Sequence, residues 1–155
     1  MNDAEFDEKC LKKRTITILP TVTTLKEEEQ IKALAQQHKS NSEYFLQGAK
    51  SLLKSDTPLL AILIGYFAME HKANQIIALQ GYKVESHVCT QMALSRILEK
   101  KDWARKLSEI FGLRQTIGYR MSLKHSPEEK KNAEDIVLEN VIPFIKEIDA
   151  LIEKI

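Results

Sequence analysis

Residues 58–81 read PLLAILIGYFAMEHKANQIIALQG, apolar almost all the way round in the first half and polar on part of the circumference in the second. A helix with no wet face must be surrounded by other helices, so the rest of the chain has to supply its neighbours. Asp56 or Thr57 stands where an N-cap belongs, Pro58 falls near the first turn, and Gly81 sits where a left-handed residue ends a helix. Gly65 weakens such a helix by about 1 kcal/mol relative to alanine. Its presence predicts that a neighbouring backbone comes close. Tyr66, Glu70 and Asn74 are spaced four apart, with His71 and Gln75 beside them, so the helix carries a polar strip into crowded surroundings. A buried carboxylate needs a partner, and for Glu70 an arginine from another helix is the expected one.

The flanking segments read as those neighbours. Residues 24–55 form a first long helix, with Thr24 and Glu27 as a capping box and Ile31, Leu34, Ala35, Phe45, Ala49, Leu52 and Leu53 at helical spacing. His38, in the polar stretch QQHKSNS, reads as solvated or as marking a bend or a later start. Ser86 caps a short helix over 87–98, with His87 a neutral, partly exposed imidazole in its first turn. Asp102 caps a longer one reaching about residue 124, and Trp103, Leu107, Ile110, Ile117 and Met121 make its stripe. Ser126, Pro127 and Glu129 are a strong start signal for a last helix to about residue 153, kinked at Pro143. Before all of these, residues 1–23 differ. A charged stretch, 1–14, that could form a short helix around Phe6, Cys10 and Leu11 leads into TITILPTVTT, β-branched and extended, a strand with no evident partner. We read 1–23 as an extended or partly ordered arm and 24–155 as one domain, all-α, an up-and-down bundle of about five helices with an enclosed centre. Apolar stripe left over on such a bundle favours a homodimer.

At 155 residues the chain can bury one sizeable core without staples. Cys10 and Cys89 are far apart and lack metal-ligand spacing, which predicts reduced thiols in a cytoplasmic protein. The N-terminus is acidic, unlike a signal peptide, and the apolar run 59–69 is too short to span a bilayer, so no membrane role is expected. Glycine-rich phosphate loops, GxSxG, HExxH and calcium-loop patterns are absent from the sequence, and a di-iron bundle would need ExxH spacings that Glu70 and His71 do not supply.

A net charge of +1 argues against a general nucleic-acid coat. The distribution is less even: residues 96–125 hold eight Lys and Arg against Glu99, Asp102 and Glu109, or +5, which leaves −4 for the remainder. This is either a solvated basic face or an anion-binding surface. Arg114 is the oddity within it, since it lies in the apolar stripe between Ile110 and Ile117. An inward arginine pairs with a buried acid, Glu70 being the obvious one, or lines a cleft where it meets an anion.

The succession YFAMEHKANQIIALQGYKVESHV, then IFGLRQTIGYR, then a long amphipathic helix ending FIKEIDALIEK, resembles the HEPN domain, a small helical bundle of prokaryotes and especially archaea. The resemblance spans about residues 26–154. It implies a homodimer whose last helices bring two copies of an Arg-x(4–6)-His motif to one cleft. Active members are metal-independent ribonucleases, often toxins paired with a small nucleotidyltransferase-like antitoxin, and need no cofactor. Arg120 and His125 satisfy that spacing as catalytic residues, although Met121 replaces the usual polar residue after the Arg. In the alternative register Arg114 is followed by polar Gln115, and Tyr119 stands in place of His. Tyrosine, with a pKa near 10, is a poor base at neutral pH, so that register implies binding without cutting. Arg105, Arg114 and Lys124 would hold an RNA backbone or a nucleotide, while Tyr66, Glu70 and His71 form a structural polar core. Three readings stay open: a dimeric endoribonuclease, a binding module for RNA, a nucleotide or a nucleotidyltransferase partner, and a scaffold in which Arg114 only neutralises Glu70.

Overall fold

The computed structural model describes residues 3–11, 22–119 and 127–155. The protein is an all-α bundle with one minimal sheet. Helix α1 (Asp3–Phe6) runs into a π-helical turn (Asp7–Leu11), and strand β1 (Val22–Thr24) follows. Then come α2 (Glu28–Leu53), α3 (Leu60–Leu79), β2 (Tyr82–Val84), α4 (His87–Arg96) and α5 (Lys101–Tyr119). The last helix is built in three pieces: α6 (Pro127–Ile136), a π-helical turn (Val137–Val141) and α7 (Ile142–Ile152).

Helix α3 is the enclosed rod that its composition demands. Thirteen of its 20 residues are buried, and α2, α4, α5 and the last helix all pack on it. Gly81 ends it in the left-handed region, with φ +90°, and its carbonyl accepts from Leu25 N at 2.7 Å. Neither Asp56 nor Thr57 caps α3. The chain enters through overlapping turns from Thr57, Pro58 and Leu59, and no side chain bonds the first amides. At Gly65 the close neighbour is a side chain rather than a backbone: a Cβ there would stand 3.1 Å from Val141 Cγ2. That contact lets the π-helical turn of the last helix settle against the rod.

Two expectations at the N-terminal side are corrected. The extended segment has a strand partner: β1 pairs antiparallel with β2, Val22 opposite Val84 and Thr24 opposite Tyr82. Pairing in that register claims Thr24, so it cannot cap α2. That helix starts at Glu28 behind Glu27, which makes no side-chain cap bond. Cys10 and Cys89 are not free thiols but a disulfide with Cα atoms 5.7 Å apart. The helical start of the chain buries Phe6 and lays Cys10 on the first turn of α4, within bridging range.

Helix α5 begins at Lys101, one residue before the expected cap, and places Asp102 in its first turn, where a carboxylate suits the helix dipole. Trp103, Leu107, Ile110 and Ile117 are buried as the spacing predicts. Pro143 lies at the start of α7, and the π-helical turn directly before it absorbs the bond that a proline removes. Among the described residues no helix is long and apolar enough to cross a membrane.

Candidate functional site

The polar strip of α3 meets a different helix at each step. Toward α4, His87 Nδ1 lies 2.6 Å from Glu70 Oε2 and 3.2 Å from Tyr66 Oη. Ser86 fixes this placement as the N-cap of α4, its Oγ accepting from Cys89 N at 3.4 Å, which leaves His87 as the first helical residue. Below it Thr90 Oγ1 donates to Asn74 Oδ1 at 2.9 Å, locking the same two helices. Tyr66 is wholly buried. Burial first, and then the Glu70 carboxylate, push its hydroxyl far above the ordinary tyrosine value, with Arg114 opposing. It therefore keeps its proton and acts as a donor.

Arg114 does not pair with Glu70, whose partner is His87. Its guanidinium carbon stands 5.0 Å from the Phe67 ring centroid, 5.4 Å from Tyr66 and 5.7 Å from Phe111. Among the described residues no carboxylate forms an ion pair with it. A guanidinium drawn to aromatic rings keeps its charge unneutralised, so it can still meet an anion. His87 shares the platform, with ring centroids 5.4 Å from Phe111 and 5.7 Å from Tyr66. A cation and a carboxylate-bound imidazole are thus assembled around two aromatic rings.

Toward α2, His71 does something the sequence did not suggest. Its Nδ1 lies 2.9 Å from Nδ1 of His38, and Phe45 stacks on its ring at 11°. His38 is therefore no solvated residue and marks no bend, since α2 runs unbroken past it. Burial, then the neighbouring His71 and Lys83, lower His38 to about 4. Burial also lowers His71, against the pull of Glu70. Toward α7, buried Lys72 donates to Gln75 Oε1 and Asp149 Oδ1, both at 2.7 Å.

Arg120, Lys124 and His125 lie outside the described residues, and Tyr119 is the last residue of α5. Arg105 stands on the exposed face of α5 between Asp102 at 3.8 Å and Glu109 at 3.2 Å, so its charge is already answered. A groove of about 750 Å³ runs between the start of α5 and the end of α7, lined by Lys100, Lys101, Lys106 and Lys154 but also by Glu99, Asp102 and Glu147. Its mixed charge makes a weaker anion site than the platform of Arg114. Compared with protein-family models and with curated proteins, the chain matches none.

Periodicity found Tyr66, Glu70, His71 and Arg114 because each breaks an apolar pattern. It missed the roles of His38, His87 and Lys72. For His87 the only signal was its place directly after the Ser86 cap, and its partner follows from how α4 packs back on α3. Lys72 and Asp149 gave none, since each alone reads as a surface residue.

Proposed function

We propose that this bundle binds phosphate-bearing ligands, RNA or a nucleotide, through Arg114, as a HEPN-like homodimer in the cytoplasm. The observation that supports it is the guanidinium set 5.0 to 5.7 Å from the ring centroids of Tyr66, Phe67 and Phe111, with no ion-pair partner among the described residues. Elsewhere on α5 Arg105 and Lys106 are met by carboxylates, whereas Arg114 lies among aromatic rings. The excess of +5 over residues 96–125 of the sequence favours an anionic ligand for this part of the chain. Leu138, 56% exposed on the last helix, is apolar surface for a second copy to cover. A cytoplasmic site requires the Cys10–Cys89 bond to persist there, as disulfides in general do inside hyperthermophile cells.

A non-catalytic scaffold that holds a small nucleotidyltransferase is the second reading. It is favoured by the completeness of the internal pairs Glu70–His87, Lys72–Asp149 and His38–His71, which serve the fold without any ligand.

Titration of fluorescein-labelled single-stranded RNA, followed by anisotropy and competed with ATP, separates the two. Loss of a charge-assisted contact in Arg114→Ala weakens binding by roughly 10- to 100-fold, while Arg105→Ala changes it little. Affinity should also fall with salt. Equal binding by wild type and Arg114→Ala would sink the assignment, and no binding at low salt would leave the scaffold.

A further inference from the structure

We infer that a pocket between α2, α3 and α7 is a binding site for a small zwitterion, an α-amino acid with an aliphatic side chain. Its outer walls are α2 and α7, whereas the Arg114 platform is built with α4 and α5, so the site does not depend on the binding reading above.

Each of the three helices presents one face to this pocket. Ser42 and Leu46 are a turn apart on α2, as are Lys72 and Gln75 on α3 and Ile145 and Asp149 on α7. Together they enclose about 340 Å³, near the small end of the range of about 300–1,000 Å³ that ligand pockets occupy.

The floor is a set of donors with bonds to spare. Lys72 is buried, its side chain 3% exposed, and Nζ donates to Gln75 Oε1 and Asp149 Oδ1, both at 2.7 Å. An ammonium carries three N–H groups and can only donate, so one N–H is left over and the Gln75 amide has to turn its oxygen toward Lys72. The amide NH2 group then faces the other way, and among the described residues nothing accepts from it. Gln75 is 7% exposed, yet this nitrogen is not sealed in, so it opens on the pocket that the side chain lines. Unanswered amide donors on a buried side chain, next to a cation, make a seat for a carboxylate.

The rim has the opposite character. Glu43 and Glu153 are exposed there beside Asp149, whose side chain is 47% exposed, and Lys39 is the basic residue among them. Among the described residues neither Glu43 nor Glu153 has an ion-pair partner. Charge therefore excludes the simpler ligands. A phosphate would meet three carboxylates at the entrance, and a plain amine would meet the Lys72 ammonium and the amide donors at the floor. A carboxylate joined to an ammonium answers both. Asp149 and Gln75 are bonded to the same lysine nitrogen, so the two seats lie side by side, as the two charges of an α-amino acid do. The ligand carboxylate accepts from Gln75 Nε2 and from the remaining Lys72 N–H, its ammonium donates to Asp149 and Glu43, and its side chain covers Leu46, Ile145 and Ile152.

Isothermal titration calorimetry of the full chain with L-leucine is the test, run beside isocaproate, which lacks the ammonium, and L-leucinamide, which lacks the carboxylate. L-leucine binds saturably, and each truncated probe binds at least about 10-fold more weakly. Inorganic phosphate does not displace it. Gln75→Glu keeps the acceptor for Lys72 but sets a carboxylate oxygen where the NH2 group was, and weakens leucine binding by about 100-fold. Exposed Glu43→Gln weakens it by about 2- to 5-fold and leaves the fold untouched, while Arg114→Ala changes nothing. Circular dichroism checks that each variant is folded. Methyl NMR of the wild type needs no variant: leucine shifts the signals of Leu46, Ile145 and Ile152 and spares Leu113 on α5. No saturable binding up to about 10 mM leucine, a truncated probe that binds as tightly as leucine, a folded Gln75→Glu with wild-type affinity, or shifts at Leu113 in place of the pocket methyls each overturn the inference. None of these outcomes touches the Arg114 reading, which the RNA titration decides.

Discussion

His38 and His71 share one hydrogen bond where two long helices cross, and their basicity follows from that setting. Partly buried imidazoles resist charge, and His38 has His71 and Lys83 as further deterrents, which brings it from 6.5 to about 4. Glu70 is the acid facing His71, and it only partly offsets burial. Above pH 6.5 both histidines are neutral in the folded and unfolded chain, so the pair contributes fully. As pH falls from 6.5 toward 4, the unfolded chain takes up a proton that folded His38 refuses, and stability declines. Thermal melts between pH 7 and 4.5 should show a steeper loss of Tm for the wild type than for His38→Gln; parallel curves would contradict this. At this scale the sequence exposed which side chains on α3 face inward, because a 3.6-residue period is a local property. It could not name their partners. Glu70 finding His87 rather than Arg114 depends on how α4 turns back over α3, which no spacing within either helix encodes.

At the scale of elements, backbone strain and close approach make opposite demands on two residues. Glu99 joins α4 to α5 with φ +55°, a conformation that a side chain resists and glycine adopts freely. Glu99→Gly should therefore stabilise the protein by about 1 kcal/mol. Gly65 is the reverse case, with Val141 already 3.1 Å from where its Cβ would be. Gly65→Val should cost about 1–3 kcal/mol through overpacking against the last helix. Urea unfolding midpoints at constant slope check both, and a shift of either in the other direction refutes that reading. Helix ends with local signals were legible: Ser86 before α4, Gly81 after α3 and Pro127 opening α6 all stand where their chemistry predicts. The start of α2 was not, because Thr24 has a choice. Its capping box is a local option, whereas opposite Tyr82 it completes a strand pair that also closes the turn after α3. The tertiary option prevailed.

For the whole molecule the arrangement of helices follows from one constraint, the need to cover α3. That constraint made the bundle legible in the sequence, since a rod apolar on nearly every side needs neighbours and the flanking segments all carry helical spacing. The first residues were legible as a short helix around Phe6, Cys10 and Leu11, but nothing local in them told that Cys10 would reach Cys89. The disulfide between Cys10 and Cys89 closes a loop of 79 residues, and restricting the unfolded chain over such a span is worth roughly 4 kcal/mol. Reduction with dithiothreitol, or Cys89→Ser, should lower Tm markedly; an unchanged melt would mean that the bond contributes nothing to folding. The candidate site was legible only in part. Arg114 stood out by interrupting a stripe, but its aromatic bed comes from Tyr66 and Phe67 on one helix and Phe111 on another. The covalent ring has one more effect. It encircles β1, all of α2, all of α3 and β2, so a single proteolytic nick anywhere inside it leaves the two fragments tethered. They would separate on a gel only after reduction, and a clipped molecule would keep the means to reassemble around its own central rod.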